Sequence, residues 1–272
     1  MFDKRAIGVF DSGLGGLTVV KELSRYMPSE DIIYFGDTGR VPYGTRSNEI
    51  IRRYAREDAE FLLKNNVKLI IAACGTVSSV ASDIGVDLDV PFFEVVSHAA
   101  KSACNVTKNG KIGVLGTSAT IRSQKHAEYI KSILPDAQVV SNSCTVFVPL
   151  VEEGWYADDD PIVVETAKRY LKPITDAECD TVILGCTHYP VLKGAIKSVV
   201  GDKVTLIEAG TSTAIAVKEF LKENSMENES CNVGKHSYFV SDRPNSFKNI
   251  ASVLLGKKID DDEIKQVDIS KL

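Results

Sequence analysis

The sequence has no hydrophobic run long enough to cross a membrane, and residues 1–6 lead into the first strand pattern without the apolar segment of a signal peptide. Blocks of Lys and Arg are also missing, and a formal net charge of −5 provides no basic surface for phosphate backbones. There is no Cys-x-x-Cys pair, and the six cysteines are too widely and irregularly spaced for a secreted disulfide framework or a structural zinc site. We therefore expect a cytoplasmic protein with free thiols, no bound metal, and neither a nucleic acid nor a membrane as partner.

The composition is that of an ordinary globular protein, with 44% hydrophobic and 25% charged residues, and 272 residues can form one large or two small domains. Strand and helix patterns alternate, which predicts an α/β fold with mostly parallel sheets and right-handed crossovers. Outside the cysteine-containing segments, strands are predicted at 6–10, 31–35, 90–95, 111–115 and 237–240, and 204–210 is predicted as the end of another strand. Helices are predicted at 19–27, 47–65, 97–105, 122–133, 161–172, 211–223 and 244–255. His126 is expected at the surface of its helix, and 257–272 carries no catalytic signal.

An internal repeat organises the chain. The segment 181–190 (TVILGCTHYP) is an apolar β-branched run that ends in Cys186, and 68–79 (KLIIAACGTVSS) has the same pattern around Cys74. The segments 7–13 (IGVFDSG) and 112–118 (IGVLGTS) are also alike, 105 positions apart, while the two cysteines are 112 apart. These near-equal offsets predict two pseudo-symmetric α/β lobes. Ligands of open α/β sheets bind beyond the carboxyl ends of the strands, so both thiols should face one small ligand in a cleft between the lobes.

Two opposed thiols can invert a carbon centre. One thiolate removes a proton while the other thiol returns one to the far face, which is racemisation without a cofactor. A helix N-terminus beside each cysteine is expected to lower the pKa of its thiol below the usual value of about 8.5. Asp11 and His188 are the natural partners of the pair, since either can accept a proton from a thiol or from a substrate ammonium group.

Two further segments leave alternatives open. The glycine-rich turn at 11–18 lacks the Gly-Lys-Ser/Thr of a nucleotide phosphate loop, so it is either an anion site or only a turn. The segment 147–155 (FVPLVEEGW) makes Glu152 a secondary catalytic candidate, although acidic residues at a helix start would look the same.

Four ordered segments closely resemble the motifs of bacterial glutamate racemases: 10–19 (FDSGLGGLTV), 36–44 (GDTGRVPYG), 73–76 (ACGT) and 184–190 (LGCTHYP). The resemblance spans nearly the whole chain. It implies a cofactor-free interconversion of L- and D-glutamate, in which the D-isomer feeds peptidoglycan synthesis. By this resemblance Cys74 works on D-glutamate and Cys186 on L-glutamate, with assistance from Asp11, Glu152 and His188.

The resemblance also implies which residues contact the substrate and how the lobes are divided. The expected substrate contacts are Asp11, Ser12, Tyr43, Gly44, Gly75, Thr76, Thr187 and His188. One lobe would consist of 1–97 with 211–272 and the other of 98–210, and a homodimer is the assembly often found in the family. Related aspartate racemases and a non-catalytic two-lobe dicarboxylate binder are the alternatives. Residues 42–44 (PYG) argue against the first, and the paired thiols argue against the second.

The chain departs from the family pattern at two positions. Gly75 stands where the family usually has Asn, and Gly39 where it usually has Ala. The missing Asn side chain removes an expected hydrogen bond to the substrate. We expect the Gly75 backbone N–H, an ordered water, or the hydroxyl of Ser78 or Ser79 to replace it, with a small net effect.

Overall fold

The computed structural model describes residues 3–242, 247–260 and 263–269, which form two parallel sheets. The strands of the first sheet are β1 (Ile7–Asp11), β2 (Ile32–Gly36), β3 (Leu69–Ala72), β4 (Phe92–Glu94), β9 (His236–Val240) and β10 (Ile264–Gln266). Those of the second are β5 (Lys111–Gly116), β6 (Gln138–Ser143), β7 (Thr181–Leu184) and β8 (Thr205–Glu208). Every strand pair in these ranges is parallel, as the alternating strand and helix patterns predicted.

The order of the strands confirms the internal repeat. The first sheet runs β10-β9-β2-β1-β3-β4 and the second runs β6-β5-β7-β8, so four strands of each sheet follow the same order. In the first sheet β1, from segment 7–13, pairs with β3, which leads to Cys74. In the second sheet β5, from segment 112–118, pairs with β7, which leads to Cys186. The two-lobe α/β architecture is therefore confirmed. The lobe boundaries proposed above stay a prediction.

Helices connect the strands and cover the sheets. They are α1 (Leu17–Tyr26), α2 (Asn48–Lys64), α3 (Gly75–Val80), α4 (Val95–Val106), α5 (Ser118–Ser123), α6 (Lys125–Ile133), α7 (Phe147–Glu152), α8 (Pro161–Asp176), α9 (Lys193–Val200), α10 (Ala209–Glu223) and α11 (Phe247–Leu255). Short 3-10 turns lie at Tyr43–Thr45, Ser82–Asp87 and Tyr189–Leu192. In the described ranges, no helix is both long and apolar enough to cross a membrane.

The apolar strands form the core because parallel strands are covered on both faces. All five residues of β1 and all four of β3 and of β7 are buried. One apolar cluster joins the two lobes, and α10 contributes to it by packing against α1 and α4. A second cluster lies between the first sheet and α2. The sheets are thus held firmly enough to fix the positions of the loops at their carboxyl ends.

Several expectations from the sequence are wrong. The predicted helix 122–133 is two helices, since Gln124 adopts a left-handed conformation (φ 57°) between α5 and α6. This break places His126 in the interior with only 3% of its surface exposed, so it is not a surface residue. Glu152 is the last residue of α7, so the alternative that it belongs to a helix start is also wrong. The segment 257–272, for which no strand was predicted, contains the edge strand β10, and residues 244–246 of the predicted last helix lie outside the described ranges.

Candidate active site

The carboxyl ends of the central strands open into one cavity of about 370 Å³. This volume suits a small ligand that is largely enclosed. Ten of the residues predicted for the site line it: Ser12, Tyr43, Gly44, Cys74, Gly75, Thr76, Glu152, Cys186, Thr187 and His188. The eleventh, Asp11, lies behind the lining. The structure therefore brings the two cysteines of the internal repeat to a single cavity, one from each sheet.

Cys74 follows β3 and is the residue before the first turn of α3. Its side chain is buried, and Sγ donates a hydrogen bond to Oγ of Ser12 over 3.4 Å. Burial, together with the nearby negative charge of Asp11, raises the pKa of the Cys74 thiol to about 12. The expectation of a lowered pKa is therefore wrong for this cysteine, because α3 has only six residues and its N-terminus does not offset desolvation. Cys74 is a protonated thiol at neutral pH.

Cys186 follows β7 and faces an imidazole. Its Sγ lies 3.9 Å from Nδ1 of His188, and Nε2 of the same ring lies 3.1 Å from Oε1 of Glu152. Burial alone would lower the pKa of His188, but the hydrogen bonds to Cys186 and Glu152 outweigh it and raise this pKa to about 10. His188 is thus an imidazolium at neutral pH, and its positive charge stabilises negative charge on the Cys186 sulfur. The two cysteines occupy opposite electrostatic environments.

Asp11 ends β1 behind the cavity lining, with 1% of its surface exposed. Its Oδ2 accepts a hydrogen bond from the Gly13 N–H over 3.0 Å, while Oδ1 has no partner among the described residues. Burial raises the pKa of this carboxyl group, and the positive charge of His188 opposes the shift. Asp11 is therefore a buried carboxyl group close to Cys74 with one oxygen still available to a proton or a cation.

Tyr43 and Gly44 form a wall of the cavity that belongs to the loop after β2. The Tyr43 hydroxyl is in contact with the buried side chains of Asp37 and Asp58. The Tyr43 hydroxyl is therefore bonded within the wall and holds this part of the loop in place. A Cβ added at Gly44 would lie 3.2 Å from Cβ of Thr117, so this loop reaches across to the second lobe.

Gly75 lies against the turn that carries Cys186. A Cβ at this position would lie 2.2 Å from the backbone carbonyl oxygen of Gly185, the residue before Cys186. The expectation that Ser78 or Ser79 replaces the family's Asn is wrong. The Ser78 hydroxyl donates to the carbonyl of Ala72 and that of Ser79 to the carbonyl of Gly75, and both side chains are buried outside the lining. Gly75 thus contributes space and a backbone N–H to this part of the site.

Sequence reasoning missed the hydroxyl groups that the second lobe brings to the cavity. Thr117 and Ser118 follow β5, and Thr145 follows β6. Thr117 Oγ1 lies 3.0 Å from Oγ1 of Thr76 and joins the lobes directly. The similarity of segment 112–118 to segment 7–13 was a signal for Thr117 and Ser118. Thr145 had no such signal, because β6 (QVVSNS) before it is too polar to be recognised as a strand. These hydroxyls and the adjacent backbone N–H groups suit a ligand with carboxylates.

Within the described ranges, no group of three or more His, Cys, Asp or Glu side chains is placed to hold a metal ion. The chemistry available from the described side chains is proton transfer between two thiols, an imidazolium and two carboxyl groups.

Comparisons with known proteins place this geometry in a family. Residues 7–219 match the model of the family described as Asp/Glu/Hydantoin racemase. The chain is 45% identical to a glutamate racemase of Geobacter metallireducens, over 94% of this chain and 95% of the relative. A solved glutamate racemase from Bacillus anthracis, isoform RacE1, superposes with a TM-score of 0.92 at 36% identity, covering 98% of both chains. A glutamate racemase from Francisella tularensis, solved in complex with D-glutamate, superposes with a TM-score of 0.91 at 36% identity over the whole of both chains.

Proposed function

The chain belongs to the Asp/Glu/Hydantoin racemase family, and from this premise we propose that it interconverts L-glutamate and D-glutamate by a cofactor-independent two-base mechanism. The observation that carries the proposal is that Cys74 and Cys186 come from equivalent strand ends of two lobes and line one cavity. The names of the relatives support glutamate as the substrate, and so does the lining of hydroxyl groups. The D-glutamate formed would supply peptidoglycan synthesis and so the cell wall.

The electrostatics suggest how L-glutamate is converted. Cys186, beside the His188 imidazolium, acts as the thiolate that removes the α-proton, and Cys74, a thiol of raised pKa, donates its proton to the opposite face. After this step Cys186 is a thiol and Cys74 a thiolate, so one proton has entered and one has left the α-carbon. Glu152 assists through its hydrogen bond to His188, because that bond favours the imidazolium.

The reverse reaction begins with Cys74 as the thiolate. Asp11 is proposed to assist, since its Oδ1 has no hydrogen-bond partner among the described residues and can take up a proton. Both enantiomers have the same free energy in water, so the enzyme must support both directions equally at equilibrium.

The remaining parts of the proposal concern binding and organisation. Substrate contacts are assigned to Asp11, Ser12, Tyr43, Gly44, Gly75, Thr76, Thr187 and His188. The lobes are 1–97 with 211–272 and 98–210, so that closure of one on the other would enclose glutamate. We further propose a cytoplasmic enzyme that forms homodimers.

The experiment is a racemisation assay on purified protein with no added cofactor, in which chiral chromatography follows L-glutamate, D-glutamate and both isomers of aspartate. We expect glutamate to racemise in both directions and to be preferred over aspartate. Preference for aspartate would instead indicate an aspartate racemase. Glutamate binding without turnover would indicate the non-catalytic two-lobe dicarboxylate binder. Loss of activity on dialysis against a chelator, with recovery on adding metal, would contradict the cofactor-free mechanism.

A further inference from the structure

A partly buried cluster of charged side chains joins the loop of residues 37–46, which provides one wall of the cavity, to α2. The guanidinium of Arg40 contacts three carboxyl groups: Asp37 through Nε, Glu57 through one terminal nitrogen, and Asp58 over 3.0 Å through the other. Its Cζ atom lies 4.0 Å from the ring centroid of Tyr54. Asp37 and Asp58 are completely buried. Arg40 therefore makes a charge-assisted contact with each carboxyl group and is held against an aromatic face.

The cluster reaches the cavity through Tyr43. The Tyr43 hydroxyl contacts Asp37 and lies 3.0 Å from Oδ2 of Asp58, and Tyr43 is one of the residues that line the cavity. On the other side, the Ser241 hydroxyl donates to Oδ1 of Asp37 over 2.7 Å and accepts from the Gly39 N–H over 2.8 Å. The 37–46 loop is thus tied to α2 and to the loop after β9.

Arg40 supplies the positive charge that the three carboxyl groups of this cluster share. Burial and the charge of Asp37 raise the pKa of Asp58 well above its usual value, and the positive charge of Arg40 opposes this shift. The Tyr43 hydroxyl is shared between the carboxyl groups of Asp37 and Asp58, and both carboxyl groups accept from Arg40. Without the guanidinium, Asp37 would be a buried carboxylate with no cation, and an unpaired buried charge is far costlier than a buried pair.

We infer that Arg40 is a positioning residue of the proposed racemase, which holds residues 41–45 against Thr117 of the second lobe and thereby fixes the substrate-binding wall. The inference rests on the proposed function and adds a residue that does not itself line the cavity. Cys74 and Cys186 stand on other loops, and no hydrogen bond in the described residues links either of them to Arg40. Disturbing Arg40 should therefore weaken substrate binding far more than it slows proton transfer.

The test compares Arg40→Met, Arg40→Lys, Asp37→Asn and the double variant Arg40→Met with Asp37→Asn. Arg56→Gln is the control, because Arg56 lies on α2 next to Glu57 but makes only an exposed ion pair, to Asp87 at 3.5 Å. Thermal unfolding of each variant establishes that it is folded at the assay temperature, and KM and kcat are measured for L-glutamate. We expect Arg40→Met to raise KM by about tenfold or more with kcat within about threefold of wild type. Arg40→Lys should be intermediate, since an ammonium group cannot contact three carboxyl groups as the guanidinium does.

The double variant separates positioning from a general loss of structure. Removing the anion together with the cation should return KM part of the way to wild type, a coupling that a double-mutant cycle measures directly. If Arg40→Met does not fold, Arg40→Lys and the double variant carry the same comparison. A folded Arg40→Met with KM within about twofold of wild type would overturn the inference, and so would a fall in kcat alone. An inactive wild type would instead refute the proposed function, so the two failures are distinguishable.

Discussion

Replacing Gly75 by Ala tests how closely the two catalytic turns must approach. The new Cβ would lie 2.2 Å from the carbonyl oxygen of Gly185, whereas ordinary contacts begin at 3.4 Å. The obstacle is backbone, which cannot rotate away as the end of a flexible side chain can. The turns that carry Cys74 and Cys186 must therefore move apart by roughly 1 Å, because well-packed interiors leave no free space to absorb the methyl group.

The size of the effect follows from this displacement. Misplacing reacting groups by about 1 Å costs on the order of a hundredfold in rate, and partial relaxation brings the expected loss in kcat/KM to roughly 10- to 100-fold. Overpacking should also lower the free energy of unfolding by about 1–3 kcal/mol. Gly75→Asn should behave in the same way, in contrast to the small effect that the sequence alone suggested.

Chiral chromatography gives kcat/KM, and urea denaturation gives the free energy of unfolding. Gly201→Ala is the matched control, because Gly201 has a φ of 83° and lies outside the cavity with open space around it. That variant should lose about 1 kcal/mol of stability through backbone strain and keep its kcat/KM. A Gly75→Ala variant with wild-type kcat/KM would refute the conclusion that this contact sets the spacing of the cysteines.

Two further predictions concern the titrating groups. Burial lowers the pKa of His126 in the folded protein to about 4. As the pH drops from 6.5 towards 4, the unfolded state therefore takes up a proton that the folded state does not, and the wild-type free energy of unfolding should fall by up to about 3 kcal/mol. Urea denaturation at a series of pH values should show that His126→Leu lacks this part of the acid destabilisation, and an equal fall in both proteins would contradict the buried neutral imidazole. Glu152→Gln removes the carboxylate that favours the His188 imidazolium and should lower kcat/KM by roughly tenfold. Because the enantiomers have equal free energies, the loss must be the same in both directions, and unchanged kinetics would show that Glu152 does not act through His188.

The sequence predicted those features that depend on local patterns. Apolar β-branched runs defined most strands, and the matched settings of Cys74 and Cys186 indicated the two lobes and the shared cavity. The pKa of Cys74 could not be predicted, because it depends on burial and on Asp11, which is 63 positions away in the chain. The interior position of His126 depends on the break at Gln124, and Gln rarely adopts the left-handed conformation that produces it. The contact of Gly75 with Gly185 arises only when the two lobes meet.

The central claim is that Cys74 and Cys186 act on opposite faces of one α-carbon, and exchange of the α-proton in deuterated water tests it most directly. Cys74→Ala and Cys186→Ala are each incubated with L-glutamate and, separately, with D-glutamate, and NMR follows loss of the α-proton while chiral chromatography follows inversion. Neither variant should racemise glutamate. Cys74→Ala, which keeps the base for the L-isomer, should exchange only L-glutamate, and Cys186→Ala should exchange only D-glutamate. Racemisation by either variant at a rate near wild type, or exchange of the same enantiomer by both, would contradict the two-base mechanism.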